Sequence, residues 1–293
     1  MTSFRSTLAA LVVTLRGSKR QFSSAERTLA RIERLGKHPA AFEPRRLGVP
    51  VTHRDVGGWP VFEVGDARAD CRAVYLHGGV YAYEIDPLHW RFVALLAEEA
   101  GVCITVPIMP LAPRGVASSV VPAVADLVTA LVDEVGASRV SVLGDSSGGG
   151  MALATAMLLR DRGVPPLAHT VLIAPWLDIS GTDPRLAEIA PIDPWLAVPG
   201  TRAAGALYRA ELGEFDPLVS PLYGSLEGLG PITMFSGTRD ILNADAARLV
   251  ALARASAADL DYFEGPGMIH NYPILPMPEG DAARKVIVEA LTR

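Results

Sequence analysis

A glycine-rich motif near the middle of the chain restricts the possible folds more than any other feature. Residues 140–150 read VSVLGDSSGGG, an apolar run followed by a Gly-x-Ser-x-Gly pattern at residues 144–148. The two glycines allow a turn tight enough to hold Ser146 in a strained conformation between a strand and a helix. Ser147 does not fit the pattern, because Asp145 lies two residues before it. The motif predicts a strand, a sharp turn and a helix, with Ser146 as the nucleophile.

The residues after the motif favour this interpretation. Residues 151–160 have a helix-forming composition, and Gly163 and Pro165 then end the helix. The N-terminus of that helix carries a partial positive charge, which favours an oxyanion beside Ser146. A plain glycine-serine loop is the alternative, since so short a pattern also occurs by chance. The strand before the motif and the helix after it favour the catalytic turn.

The composition is that of one α/β domain with insertions. The chain has 293 residues, 49% of them hydrophobic and 20% charged, which is enough to bury a large core. Its net charge of −5 gives no reason to expect nucleic acid as a partner. Cys71 and Cys103 lie beside or within predicted strands, which favours free thiols over a disulfide or a metal site. No apolar run reaches about 18 residues and no clear signal-peptide cleavage site is present, so we expect a cytoplasmic protein.

Predicted strands and helices alternate through most of the chain. Two amphipathic helices come first: one with apolar residues at positions 4, 8, 11, 12 and 15, and one from a capping box at 23–26 to Gly36. A hairpin at 49–64 then precedes strands at 72–76, 102–106, 140–143, 171–174, 232–235 and 260–263, with helices at 89–100, 116–135, 151–160, 244–258 and 281–291. This order predicts a mostly parallel central sheet flanked by helices.

One segment interrupts the alternation. Residues 178–215 are rich in proline and glycine and carry only short apolar stretches, which indicates an insertion after a strand end. Ligands of such sheets bind beyond the carboxyl ends of the strands, so an insertion there covers the site. The predicted organisation is a set of N-terminal cap helices at 1–48, a core at 49–180 and 217–293, and a cap insertion at 181–216.

A serine nucleophile needs a histidine base, and the base needs an acid that holds its tautomer. His270 lies just after the last predicted strand, which is the position of the base in hydrolases with the chain order Ser, Asp, His. Asp240 follows the preceding strand and is the expected acid. Asp245 is the alternative, although its position is more typical of a helix cap. The histidines at positions 38, 53, 89 and 169 are expected to be structural or solvated.

A second glycine motif completes the predicted site. His77-Gly78-Gly79 follows a strand and offers backbone N–H groups that can approach a substrate closely. The N–H of Ser147 adds another donor. We therefore expect Gly78, Gly79 and Ser147 to surround an oxyanion. Alone, the His-Gly-Gly sequence is no more than a turn; together with the serine motif and His270 it is specific.

These motifs together resemble the hormone-sensitive-lipase-like family of α/β hydrolases, bacterial carboxylesterases of the Gly-Asp-Ser-Ala-Gly type. The resemblance covers nearly the whole chain and rests on residues 77–79, 110–113, 144–149, 216–221, 240–242 and 270. It implies the α/β-hydrolase fold, the triad Ser146, Asp240 and His270, a lid over the site, and His77 as a scaffold that transfers no proton. Val80 departs from the family pattern, which has a third glycine there; valine keeps its N–H but narrows the wall of the site.

The expected function is hydrolysis of short- to medium-chain or aryl esters through an acyl-enzyme intermediate, with no metal or cofactor and with a homodimer as an expected assembly. Two alternatives stay open. One is a non-catalytic small-molecule receptor, because the gibberellin receptors resemble the same family but lack the histidine. The other is an amidase or peptidase, because the same triad can cleave amides. Every triad position is filled here, which favours an enzyme.

The N-terminal helices are basic. The first 46 residues carry ten Lys or Arg against three Glu, in a chain whose net charge is −5. Their apolar stripe can pack over the sheet as part of the lid and leave the basic side in solvent, and amphipathicity alone favours this reading. Alternatively, a basic amphipathic helix can lie in the headgroup region of an anionic membrane.

Overall fold

One central sheet organises the protein, whose computed structural model describes residues 2–39 and 42–293. Within these residues the strands are β1 (Val51–Val56), β2 (Trp59–Val64), β3 (Arg72–Leu76), β4 (Cys103–Pro107), β5 (Val140–Asp145), β6 (His169–Ile173), β7 (Ile232–Arg239) and β8 (Leu260–Ile269). Their order in the sheet is β1-β2-β4-β3-β5-β6-β7-β8. The pairs β1–β2 and β2–β4 are antiparallel and the other pairs are parallel. The predicted mostly parallel sheet is confirmed.

Helices cover both faces of this sheet. The described chain contains α1 (Phe4–Leu15), α2 (Ser18–Phe22), α3 (Ala25–Lys37), α4 (Pro87–Ala100), α5 (Ala117–Val135), α6 (Ser147–Asp161), α7 (Leu186–Ile189), α8 (Val198–Arg209), α9 (Asn243–Ser256) and α10 (Pro278–Leu291). On one face, α5, α6 and α9 pack on residues such as Val74 and Val142. On the other, α4 and α10 pack on residues such as Tyr75 and Phe235. Because both faces are buried, the central strands are almost entirely apolar.

The last strand is longer than predicted. The sequence predicts a strand only at 260–263, but the chain continues to pair with β7 as far as Ile269, with an irregularity in the register between Gly237 and Arg239. A side chain at Gly237 would meet the backbone of Met268, so glycine allows the two strands to pass closely there. His270 therefore follows directly after a paired strand rather than within a long loop.

The N-terminal helices and the inserted segment contact each other. Helix α3 packs on α8, where Gly200 lies so close to Thr28 and Phe22 that any side chain on it would overlap them. Thr28 is fully buried and donates its hydroxyl to the Gln21 carbonyl at 2.9 Å. The N-terminal helices and the inserted segment, although far apart in the sequence, thus form one layer over the carboxyl ends of the strands, which we call the cap layer.

Helix α1 is oriented opposite to the favoured prediction. Its buried residues are Ser6 and Ala10, and its apolar stripe is exposed. The Ser3 backbone N–H and hydroxyl donate to the two carboxylate oxygens of Glu279 in α10, at 2.6 Å and 2.8 Å. The small residues therefore face the core, and the interpretation in which the stripe packs over the sheet is wrong for α1. No helix in the described ranges has both the length and the apolar character required to cross a membrane.

Candidate active site

Ser146 occupies a strained turn between β5 and α6. Its backbone has φ 53° and ψ −121°, a conformation that side-chain-bearing residues rarely adopt. Glycine at positions 144 and 148 permits this tight turn, because a side chain on Gly144 or Gly148 would overlap neighbouring backbone, including the Leu76 carbonyl. The Ser146 N–H donates to the Ile173 carbonyl at 2.8 Å, which fixes the turn against β6. The predicted strand, turn and helix are confirmed.

The structure brings Ser146, His270 and Asp240 into one hydrogen-bonded chain. His270 Nε2 lies 2.9 Å from Ser146 Oγ, and His270 Nδ1 lies 2.7 Å from Asp240 Oδ2. All three side chains are buried beneath the cap layer. Asp240 directly follows β7 and His270 directly follows β8, so the parallel strands deliver both residues to the same edge of the sheet. The other carboxylate oxygen of Asp240 accepts the Leu242 N–H at 2.9 Å.

The electrostatics around His270 favour its protonated form. Burial lowers its pKa, but the negative charge and hydrogen bond of Asp240 outweigh this effect, so the pKa lies above the ordinary value of 6.5. With Nδ1–H donated to Asp240, Nε2 faces the Ser146 hydroxyl and can accept its proton. This arrangement can carry out general-base activation of a serine.

Asp245 lies elsewhere. It belongs to the first turn of α9 and forms an ion pair with Arg248 at 2.9 Å. Its carboxylate therefore stabilises a helix start and its neighbours, while Asp240 is the acid that contacts His270.

The structure changes the expected set of oxyanion donors. The Gly78 N–H donates to Asp145 Oδ1 at 2.9 Å, so Gly78 has no free N–H to offer an oxyanion, contrary to expectation. Glycine is required at this position because a side chain would overlap Asp145. Within the described part of the chain, the N–H groups of Gly79, Val80 and Ser147 have no acceptor. Gly79 and Val80 line the same cavity as Ser146.

Val80 holds an unusual backbone conformation. Its φ is 51°, and that of Tyr81 is 60°, both in the left-handed region that favours glycine. A β-branched residue is a rare occupant of this region, so the loop keeps Val80 there against its own preference. The glycine expected at this position would adopt the same backbone without strain.

A cavity of about 350 Å³ opens onto Ser146 and His270. Its walls come from the catalytic loops and from both parts of the cap layer, including Arg16, Phe22 and Arg31 from the N-terminal helices and Trp195 and Leu196 from the insertion. A larger cleft of about 660 Å³ lies beside β1 and β2, and no predicted site residue lines it. The smaller cavity is the candidate substrate site because it holds the reactive side chains.

Sequence comparison matches these features to a known family. A family model described as the alpha/beta hydrolase fold covers residues 73–274, which is well over half of the chain. The chain belongs to the α/β-hydrolase family. This agrees with the expected fold, which is confirmed.

Individual relatives of this α/β hydrolase are esterases and lipases. It is 33% identical to a triacylglycerol lipase of Mycobacterium tuberculosis over 82% of the chain and 51% of that lipase, so it spans about half the length of that relative. It is 34% identical to an acetyl-hydrolase of Streptomyces hygroscopicus over 82% of each protein. The crystal structure of an esterase from the bacterial hormone-sensitive lipase family matches with a TM-score of 0.84 at 27% identity, covering 100% of this chain and 98% of that one. The resemblance to the hormone-sensitive-lipase-like family is confirmed.

A second buried carboxylate, which the sequence does not indicate, lies beside the loop that carries Asp240. Asp193, in the insertion, accepts the N–H of Ile241 at 2.9 Å through one oxygen. Its other oxygen accepts the N–H groups of Trp195 and Leu196, at 2.7 Å and 2.9 Å. The Trp195 ring packs edge-on against His270 with ring centroids 5.6 Å apart. Asp193 thus connects the loop of Asp240 to the residue that covers His270.

Burial and the nearby charge of Asp240 raise the pKa of Asp193 to about 6. The negative charge of Asp193 in turn contributes to the raised pKa of His270. The only sequence signal for this residue was an acid followed by Pro194 and Trp195 in a mostly apolar stretch, which does not indicate its partner.

Asp145 points away from Ser146 into a buried network. Its Oδ1 accepts the Tyr75 hydroxyl at 2.6 Å as well as the Gly78 N–H. Its Oδ2 accepts the Asn271 side-chain amide at 2.6 Å and lies 3.3 Å from Nε2 of His89. One carboxylate thus ties together the serine turn, the glycine loop and the loop of His270.

Two further histidines lie close to the site: His77 precedes Gly78, and His89 lines the same cavity as Ser146. His77 donates Nδ1–H to the Gly78 carbonyl at 2.7 Å, and burial together with the charge of His89 lowers its pKa to about 4, so the ring is neutral. His89 lies between two carboxylates, 3.0 Å from Asp86 and 3.3 Å from Asp145. Burial opposes its protonation, but the attraction of Asp145 and Asp86 raises its pKa above the ordinary value, which favours the charged form of the ring.

Proposed function

We propose that this protein hydrolyses carboxylic esters of small molecules, with Ser146, His270 and Asp240 as its catalytic triad. The observation that carries the proposal is the hydrogen-bonded chain from Ser146 Oγ through both ring nitrogens of His270 to Asp240 Oδ2. This chain lies in a cavity at the carboxyl ends of the strands, in a family whose relatives include esterases and lipases.

The first half of the reaction forms an acyl-enzyme. Ser146 Oγ attacks the ester carbonyl carbon while His270 Nε2 takes the hydroxyl proton. Asp240 stabilises the imidazolium that results and keeps the ring in the reactive tautomer. His270 then gives the proton to the departing alkoxide, so the alcohol leaves and the acyl group stays on Ser146.

The second half returns the free enzyme. His270 takes a proton from a water molecule whose oxygen attacks the acyl carbon; the bond from that carbon to Ser146 Oγ then breaks, His270 returns the proton to Ser146 Oγ, and the acid leaves. In both halves the negative oxygen of the tetrahedral intermediate needs donors, and the N–H groups of Gly79, Val80 and Ser147 are the ones we assign to it. The N-terminus of α6 adds its partial positive charge at the same place.

The size and walls of the cavity support small substrates. A volume of about 350 Å³ accommodates an aryl or a short- to medium-chain ester, and the cap residues Phe22 and Leu196 give it an apolar wall. The name of the Streptomyces relative, an acetyl-hydrolase, is consistent with a short acyl group.

Other expectations stay predictions. These are a cytoplasmic location, a homodimer, the absence of a cofactor, membership of the Gly-Asp-Ser-Ala-Gly type, and the division into cap (1–48 and 181–216) and core.

A chain-length series of p-nitrophenyl esters, run beside an anilide of the same acyl group, tests the proposal. We expect turnover of the esters with a preference for short chains, slower turnover of the anilide, and no turnover of either by Ser146→Ala. Binding of esters without turnover by the wild-type protein would support a receptor instead, and faster cleavage of the anilide would support an amidase.

A further inference from the structure

Helix α1 presents an apolar stripe to solvent. Five of its large apolar residues share one face and are exposed: Phe4 to 81%, Leu8 to 46%, Leu11 to 52%, Val12 to 38% and Leu15 to 76%. The opposite face carries small residues and packs on the core. An exposed apolar stripe of this length on a helix is typical of a surface that a membrane or another protein covers.

The charge around the stripe indicates which kind of surface covers it. At about 100° per residue, Arg5 and Arg16 lie along one flank of the stripe, and Lys19 and Arg20 follow it. Arg5, Arg16 and Arg20 form no ion pair within residues 2–39 and 42–293. The described part of the N-terminal segment, residues 2–39, has eight Lys or Arg and two Glu, whereas the whole chain has a net charge of −5. Arg5 and Arg16 thus place positive charge directly beside the apolar stripe, at the end of the chain where basic residues outnumber acidic ones.

We propose that α1 docks in the headgroup region of an anionic lipid surface. The stripe enters the boundary between headgroups and acyl chains, and the flanking arginines contact the lipid phosphates. A second copy of the chain fits less well, because two such faces would bring their arginines together without an acidic partner.

The docked face adjoins the candidate active site. Arg16, at the end of α1, and Ser18 and Gln21, in α2, line the cavity that contains Ser146. A lipid surface under α1 therefore lies at the rim of that cavity, where ester-bearing lipids or esters dissolved in the bilayer can enter. This second step rests on the proposed esterase function; the docking itself does not.

Co-sedimentation with vesicles tests the docking. We expect the full-length protein to bind vesicles of phosphatidylcholine and phosphatidylglycerol at low salt, to bind pure phosphatidylcholine vesicles weakly, and to dissociate at high salt. Leu8→Ser combined with Leu11→Ser should weaken binding by about tenfold or more. The matched control is Phe215→Ser combined with Leu252→Ser, two residues exposed to 54% and 45% away from α1, which should bind like the wild type.

A second pair of variants tests the charge. Arg5→Gln combined with Arg20→Gln should weaken binding to the anionic vesicles by about tenfold and reduce its salt dependence. Arg139→Gln combined with Arg254→Gln removes the same charge from exposed positions outside the N-terminal helices, and should have little effect. All four variants are expected to hydrolyse soluble p-nitrophenyl acetate as the wild type does.

Several results would overturn the docking. They are no vesicle binding at low salt, equal losses in the stripe and control variants, or a dimer in sedimentation analysis that Leu8→Ser with Leu11→Ser dissociates while vesicles stay unbound. Ser146→Ala separates the two proposals, because it should bind vesicles normally. A wild-type protein that binds vesicles but hydrolyses no ester would remove the proposed function and leave the docking intact.

Discussion

Two buried histidine–aspartate pairs lie close to Ser146, and they differ in what the second ring nitrogen contacts. In the pair His270–Asp240, the other nitrogen faces the Ser146 hydroxyl at 2.9 Å. In the pair His89–Asp145, the other nitrogen faces a second carboxylate, that of Asp86, at 3.0 Å. Both histidines are buried and both have raised pKa values.

The difference decides what each histidine can do. His89 has a carboxylate near each nitrogen, so its charged form is favoured and its role is to hold Asp145 and the loops around it. His270 has one carboxylate and one hydroxyl, so it can take and return a proton. Burial and a nearby acid therefore do not make a catalytic base; a free nitrogen that faces a nucleophile does.

The largest expected effect is on the catalytic side. His270→Ala and Ser146→Ala should each lower kcat by about 10⁶-fold, and the double variant should be no worse, because triad members act as a unit. The melting temperature of Ser146→Ala should change little, since almost no core volume is lost at that position. Steady-state kinetics on the three variants measures this, and a double variant far worse than either single one would mean that the two residues are not partners.

The next largest effect is expected at Asp240, the acid of the proposed triad. Asp240→Asn should lower kcat by about 10⁴-fold, because an amide cannot hold the reactive tautomer or stabilise the imidazolium. Asp245→Asn is the control, and its kcat should stay within a few-fold of the wild type because its partner is Arg248. Reversed losses would assign the acid role to Asp245.

A change in the pair His89–Asp145 is expected to lower the stability of the fold. His89→Gln should lower the free energy of unfolding by about 3 kcal/mol at pH 6, because it leaves Asp145 and Asp86 without their shared cation. The folded pKa of His89 is raised, so this contribution is complete below the ordinary value of 6.5 and is lost as the pH rises toward the folded pKa. Urea unfolding of both proteins at pH 6 and pH 9 should show a smaller difference at pH 9. An equal difference at both pH values would show that His89 contributes no charge.

The pH profile tests the influence of Asp193 on the catalytic pair. Activity needs neutral His270, so kcat/KM should rise with pH through a midpoint above 6.5. Asp193→Asn keeps one acceptor oxygen, turns an amide NH2 toward the backbone N–H on the other side, and removes a negative charge, so the midpoint should move to lower pH even if kcat falls at every pH. Asp245→Asn should leave the midpoint unchanged, because that acid pairs with Arg248. A loss of kcat at every pH without a change of midpoint would assign Asp193 a purely structural role.

The smallest effect is expected at Val80. Val80→Gly widens the cavity wall and keeps the N–H donor, so turnover of hindered or tertiary-alcohol esters should improve relative to p-nitrophenyl acetate. The positive φ favours glycine and offsets the lost burial of the side chain, so the free energy of unfolding should change by less than about 1 kcal/mol. The ratio of the two turnover rates measures this, and an equal change for both esters would contradict it.

The parts of the site that follow from local motifs could be predicted from the sequence. The strand-turn-helix around Ser146 is fixed by Gly144 and Gly148 within five residues. Asp240 and His270 each follow a strand, and the carboxyl ends of parallel strands meet at one edge of the sheet. These positions need no knowledge of distant contacts, so the fold and the candidate triad could be expected before the structure was known.

The rest depends on contacts between segments far apart in the sequence. Nothing near Asp193 indicates that its carboxylate binds the loop of Asp240, and nothing near Gly78 indicates that Asp145 occupies its N–H. The stripe of α1 has the same pattern whether it faces a protein core or a lipid surface, so periodicity could not decide its orientation. The buried face carries the small residues Ser6 and Ala10, which allow the helix to approach the core closely.

The carboxylate of Asp145 has a consequence for how enzymes of this kind diversify. Because one side chain anchors the serine turn, the glycine loop and the loop of His270, a substitution in any of them disturbs the others. These three loops therefore form one interdependent block that is inherited together. The cavity walls formed by Phe22 and Leu196 lie outside that block. Laboratory evolution toward new esters should therefore accumulate changes in the cap helices and the insertion, and chimeras that exchange those segments between relatives should alter substrate choice while the rate of the chemical step is retained.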